Sequence, residues 1–301
     1  MPSRLLRTGA VVSSALAAVL LASCGSGDHL ASGPKPAGTT TTAGPDPSGP
    51  SGMFDVGDGR LLYLSCSGSG SPTILLEAGG GDDSNTWHPE LTSGLKARTR
   101  TCVYDRAGTG GSDPAPDRRR MMVDVVADLD ALLAKAGITD QLLLVGTSFG
   151  GEVVLDYALH HSDRVVGLVI LDRDWPTGAL ARSPDRELTA AERHAITVGD
   201  DWDAPGNAEH IASQDTLPQT EAAFHTLPGI PIRILTAGRA PDCDKSAAIC
   251  AHRLRTAIKL QKQWLRLGPG ASRRVVQSGH VMHHEVPELV RDEILAVLDK
   301  V

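Results

Sequence analysis

The chain is short of several things. Its N-terminal apolar run, Ala10 to Ala22, is too brief for a bilayer-spanning helix, which needs about 20 residues. It has no basic stripe and carries a formal net charge of −7, which argues against nucleic acid as a partner. The zinc-binding pattern H-E-x-x-H is absent. His283 and His284 lie near His280, but no carboxylate or cysteine completes a recognised ligand spacing with them, so neither a metal nor another cofactor is expected. Between Gly25 and Gly52 there is almost no apolar content to offset the entropy of ordering, so this Gly/Pro/Ser/Thr-rich stretch reads as a disordered tether. The run Thr39 to Thr42 fits glycosylation on composition alone.

What precedes the tether has the form of a secretion signal. Arg4 and Arg7 make a positive start, the apolar run follows, and Leu21-Ala22-Ser23-Cys24 closes it. Small residues directly before a cysteine resemble a bacterial lipobox. The resemblance implies a signal peptide over 1–23, lipid on the sulfur of Cys24 and a tether over 24–52. The mature chain would then be extracytoplasmic and anchored to the bacterial cell membrane. An ordinary secretory signal containing a cysteine is the alternative. Cleavage would remove two cations and no acid, taking the charge to about −9. Residues 53–301 remain, enough for one large domain. Besides Cys24 there are Cys66, Cys102, Cys243 and Cys250, an even set that suggests two disulfides outside the cytoplasm. Of the three connectivities, Cys66–Cys102 with Cys243–Cys250 is the expected one.

The domain alternates strands and helices. A hairpin turns at Gly57-Asp58-Gly59, and strands are expected at 73–77, 101–105, 142–146, 165–171, 230–237 and 274–277. Helices are expected at 87–98, 123–136, 150–160, 251–267 and 288–298, the second from Val125, Leu129, Leu132, Leu133 and Ala136 on one face. Such alternation implies βαβ units and a mostly parallel sheet covered on both sides. The polar stretch 175–229 has no strand signal and reads as a cap or lid, with Trp175, Trp202 and Phe224 as its candidate apolar lining.

Within this frame, Gly146-Thr147-Ser148-Phe149-Gly150 fits G-x-S-x-G between an apolar strand and a helix. Small neighbours let strand and helix pass closely, so the turn can lift the Ser148 hydroxyl clear of the sheet. A serine hydroxyl needs a base. His280, on the loop after the last strand, falls at the same sheet edge. His88, His160, His161, His194, His210, His225 and His252 lie in helices or the lid and read as surface residues. The orienting acid is Asp172, at the end of its strand, with Asp242 and Asp244 after the next strand as the alternative. Two N–H groups should face the charge formed on attack, those of Phe149 and of Gly80 in the triplet Gly79-Gly80-Gly81.

From about Phe54 onward the chain resembles the α/β-hydrolase fold family. The residues that carry the resemblance are LLEAGGG (75–81), YDRAGTGGSDP (104–114), GTSFGG (146–151), RVVGLVILD (164–172) and SGHVMHHEVPELV (278–290), in chain order Ser…Asp…His. Glu77-Ala78 stands where the family often has His-Gly, and Thr147 where it often has His. The resemblance implies an eight-stranded, mostly parallel sheet. Its usual acid position, after strand 7, favours Asp242 or Asp244, while a subset places the acid after strand 6. Its strand order would make Cys66 and Cys102 neighbours. The implied activity is that of a serine carboxylesterase acting on a small-molecule ester, with no obligate protein partner. A peptidase, thioesterase or perhydrolase would use the same residues, and a non-catalytic binding lipoprotein is the reading from another class.

Overall fold

The computed structural model describes residues 49–173, 206–212, 216, 220, 224–227, 229–239 and 247–301. The expected leader and tether, most of the cap, and Cys243, Asp242, Asp244, Trp175 and Trp202 lie outside them.

Eight strands form one sheet: β1 (Ser51–Gly57), β2 (Arg60–Ser67), β3 (Thr73–Glu77), β4 (Thr101–Tyr104), β5 (Leu142–Thr147), β6 (Val165–Leu171), β7 (Ile232–Ala237) and β8 (Ala271–Val276), in the order β1-β2-β4-β3-β5-β6-β7-β8. The β1–β2 and β2–β4 pairs are antiparallel. From β4 through β8 all pairing is parallel. The central strands β3 and β5 are buried along their whole length, because helices cover both faces of a parallel sheet.

Side chains on a strand alternate between faces, so β5 feeds two cores. Leu142 and Leu144 join one, packed under helices α2 (Met122–Lys135) and α3 (Phe149–His160). Leu143 and Val145 join the other, under α1 (Pro89–Lys96) and the C-terminal helix, Pro287–Leu298. The expected face of α2 is the one buried, through Val125, Leu129, Leu132 and Leu133.

Cys66 and Cys102 sit directly opposite one another on β2 and β4 and form a disulfide. Cys250 is also disulfide-bonded.

The helix expected over 87–98 is shorter, Pro89–Lys96, and three other boundaries differ from expectation by more than one residue. Strand β7 starts at Ile232 rather than Ile230, because Pro231 has no N–H to give. Strand β8 starts at Ala271 rather than Arg274. As the edge strand it is only partly covered, so it needs no apolar run. The helix expected over 251–267 begins earlier, as α4 (Ala247–Leu260), and tightens into a 3₁₀ segment, Gln261–Leu267. A short helix, α5 (Met282–Glu285), precedes the C-terminal helix, α6.

Candidate active site

Ser148 stands between β5 and α3 with φ 52° and ψ −125°. A positive φ on a residue with a Cβ is strained, and the surroundings impose it. The Ser148 N–H still donates to Leu171 O at 2.9 Å, continuing the β5–β6 ladder by one residue. The neighbours must be glycine. A Cβ on Gly146 would meet Gly150 O at 2.2 Å, and one on Gly150 would meet Ala78 O at 2.4 Å and Glu77 O at 2.5 Å. All of those obstacles are main chain, which cannot swing aside.

Asp172 follows β6 directly and also has a positive φ, 46°. Its N–H donates to Leu235 O at 2.8 Å. Three donors converge on its carboxylate. Oδ1 accepts from Ala237 N at 2.8 Å and Gln261 Nε2 at 2.9 Å, and Oδ2 lies 2.8 Å from His280 Nδ1. With Asp172 ionised, the Nδ1–H donates, which leaves Nε2 as the basic nitrogen of a neutral ring. His280 is half exposed and Asp172 mostly covered. The loop bearing His280 is tied down by Glu285, whose two oxygens accept from Gly279 N at 3.1 and 3.0 Å and which pairs with Arg239.

The glycine turn after β3 packs on the nucleophile turn. A Cβ added at Gly79 would meet Asp82 Oδ2 at 3.0 Å and Ser148 Cβ at 3.6 Å, and one at Gly80 would lie 3.5 Å from Phe149 Cβ. Phe149 opens α3, so its N–H has no helical partner behind it. The structure thus joins His280 to Asp172 and stacks Gly79 and Gly80 on Ser148 and Phe149. Asp242 and Asp244 lie outside the described residues. Phe224, expected in the lid's lining, is partly buried against the main core, under the Arg266 guanidinium at 5.0 Å.

Two polar residues around the site, Arg106 and Glu209, were not singled out from the sequence. Arg106 is buried beneath the glycine turn between Glu77 and Glu209. Burial pushes the Glu77 carboxyl up; at Glu209 burial pushes the same way, but the Arg106 charge together with hydrogen bonds from Arg106 and Gly81 holds the carboxyl below its ordinary value. On the other side, His283 Nε2 lies 3.0 Å from Thr86 Oγ1 and Nδ1 lies 3.5 Å from Thr147 Oγ1. Burial, then the neighbouring His284, His280 and His88, lowers its pKa to about 3, so it is a neutral wedge behind the turn. No group that could hold a metal ion occurs among the described residues. A signal for Glu77 was available: a carboxylate closing an otherwise apolar buried strand needs a buried cation, and Arg106 in YDRAG is the near candidate.

A family model described as the alpha/beta hydrolase fold matches residues 72–227, just over half of the chain. The chain belongs to that family, whose fold the eight-stranded sheet and flanking helices reproduce. It is 36% identical over 129 residues to a probable transporter, efuK, of Hormonema carpetanum, a match covering 40% of this chain and 18% of that one. It is 35% identical over 113 residues to the putative carbamate hydrolase RutD of Azorhizobium caulinodans, covering 37% of this chain and 40% of that one. The chain therefore spans well under half the length of these curated relatives. A thermophilic esterase from Thermogutta terrifontis is similar in fold, with TM-score 0.57, 21% identity, and 83% of this chain and 98% of that one covered.

Proposed function

We propose that this protein is a serine hydrolase, a carboxylesterase working through an acyl-enzyme on Ser148. The observation that carries the reading is the His280 Nδ1 to Asp172 Oδ2 bond at 2.8 Å, made at the strand ends beside a strained serine turn. In this reading Ser148 Oγ bonds to the ester carbonyl carbon while His280 Nε2 takes the hydroxyl proton. Asp172 holds the ring's tautomer and stabilises the imidazolium. The Phe149 and Gly80 N–H groups receive the oxyanion. Collapse expels the alcohol, which leaves with the proton from His280. Water, deprotonated by the same nitrogen, then releases the acid and restores Ser148. The leader residues and Cys24 support placing this activity outside the cytoplasm, on a lipid anchor, with 175–229 as the cap over the pocket.

The test is labelling with a fluorophosphonate, followed by a p-nitrophenyl ester chain-length series that includes a thioester, an aminoacyl amide and a carbamate. The carbamate is added because of the name of the Azorhizobium relative. Labelling at Ser148 that disappears in Ser148→Ala is expected; an unlabelled, folded wild-type protein would mark a non-catalytic relative. Metabolic labelling with a fatty-acid analogue tests the anchor, and should fail in Cys24→Ala.

A further inference from the structure

The glycine turn is gripped from below. Arg106 Nη1 donates to Glu77 and, at 2.8 Å, to Ala78 O. Its Nη2 donates to Gly79 O at 2.5 Å and Glu209 Oε1 at 2.9 Å, and its Nε to Glu209 Oε2 at 2.6 Å. Glu209 Oε1 also accepts from Gly81 N at 2.7 Å. Tyr104 hydroxyl caps the second Glu77 oxygen. Arg106, Glu77 and Glu209 are all nearly or fully buried, so each must keep its partners. Further out, Arg120 donates to Glu209 O at 3.2 Å and binds Asp128, which also takes Arg60. Three arginines and three carboxylates alternate along this line.

The geometry has a specific effect on one peptide plane. In a trans peptide the C=O and the next N–H point in opposite directions. A guanidinium holding Gly79 O therefore aims the Gly80 N–H away from Arg106. On the other flank, the Gly81 N–H is committed to Glu209. The same guanidinium lies 5.5 Å from the Phe149 ring centroid, beneath the second donor's own side chain.

We propose that Arg106 and Glu209 are positioning residues that fix the orientation of the Gly80 N–H, and that Glu209, on the connection between β6 and β7, ties that connection to the oxyanion turn. The proposal rests on the serine-hydrolase reading above. Glu209→Gln is the measured variant, because it keeps shape but sets an NH₂ against one of the Arg106 donors. With p-nitrophenyl acetate, kcat should fall about 10- to 100-fold with KM within about 3-fold, since a misaimed donor acts on the transition state. The inhibition constant of a phenylboronic acid, a tetrahedral mimic on Ser148, should rise by the same factor as kcat/KM falls. Arg106→Lys should repeat this pattern. A folded Glu209→Gln with kcat within about 2-fold of wild type, or with unchanged boronate affinity, overturns the proposal. Should both variants fail to fold, wild-type protein labelled with [¹⁵N]glycine decides the matter. The half-open Gly81 amide must be protected from solvent exchange by its bond to Glu209, and Gly80 must shift on boronate binding. Exchange of Gly81 at the free-peptide rate, or an unmoved Gly80, overturns the proposal. If wild-type turnover is absent, or persists in Ser148→Ala, the catalytic reading fails instead, and Gly81 protection still reports on the clamp.

Discussion

Asp172→Asn should disable the protein by trapping one histidine tautomer, and the hydrogen bonds say which one. Oδ1 faces two donors, and the Ala237 N–H among them is main chain and cannot rotate away. Setting an amide NH₂ there would leave a donor facing a donor, at about 1–3 kcal/mol, or roughly a factor of 10 to 100 in population. The asparagine oxygen must therefore take the Oδ1 place, and its NH₂ faces His280 Nδ1. That nitrogen becomes the acceptor, the proton moves to Nε2, and the ring can no longer receive the Ser148 proton. The loss expected in kcat is about 10³- to 10⁴-fold, roughly 4–5.5 kcal/mol in the barrier, with KM little changed. The assay is initial-rate hydrolysis of p-nitrophenyl acetate, with thermal melting as a check on folding. A loss under 10-fold in a folded Asp172→Asn would refute the reasoning. So would a larger loss in Asp242→Asn or Asp244→Asn, which are expected to stay within a few-fold of wild type.

Other consequences follow from the same geometry. Ser148→Gly should raise Tm by a few degrees while abolishing activity, because relief of a positive φ is worth about 1–3 kcal/mol; an unchanged or lower Tm in calorimetry would contradict the strain. Gly150→Ala should destabilise by more than about 2 kcal/mol in urea titrations, since its Cβ meets two carbonyl oxygens within 2.5 Å. Reducing Cys66–Cys102, which closes a separation of 36 residues, should remove about 2–4 kcal/mol of stability; a Cys66→Ser, Cys102→Ser double variant with an unchanged urea midpoint would disprove it. His283 is neutral when folded, with its pKa lowered from 6.5 to about 3, so its contribution is complete above 6.5 and shrinks as pH falls towards 3. By pH 5 the loss is about 2 kcal/mol. Buried Glu152 and Asp156, pushed up by burial, work in the opposite sense. The measurement is therefore the wild-type stability slope minus that of His283→Gln, which should be positive between pH 5 and 6.5.

The parallel strands could be read from the sequence because burial on both faces demands unbroken apolar runs such as LLLV and VVGLVIL. The serine turn could be read because its small residues answer a steric demand local to five positions. The nearness of Asp172 to His280 could be read because a strand end fixes where a side chain emerges. Buried ion pairs across long sequence distances were not legible. Arg106 and Glu209 are 103 residues apart, and no periodicity connects them. Edge strand β8 was misplaced at its start because partial cover weakens the very pattern by which strands are recognised. His283 looked like one of a loose histidine group, and only burial against Thr86 and Thr147 gives it a distinct environment.

The connection between β6 and β7 departs at Asp172, which holds His280, and is fastened again at Glu209, which holds the glycine turn, so two points along it bear on two different parts of the proposed site. Anyone exchanging this insertion for a relative's to redirect substrate choice should cut inside 174–205 and keep both stems native. Grafts that replace the stems would alter the chemistry and the pocket together, and the resulting loss of rate would be mistaken for poor substrate fit.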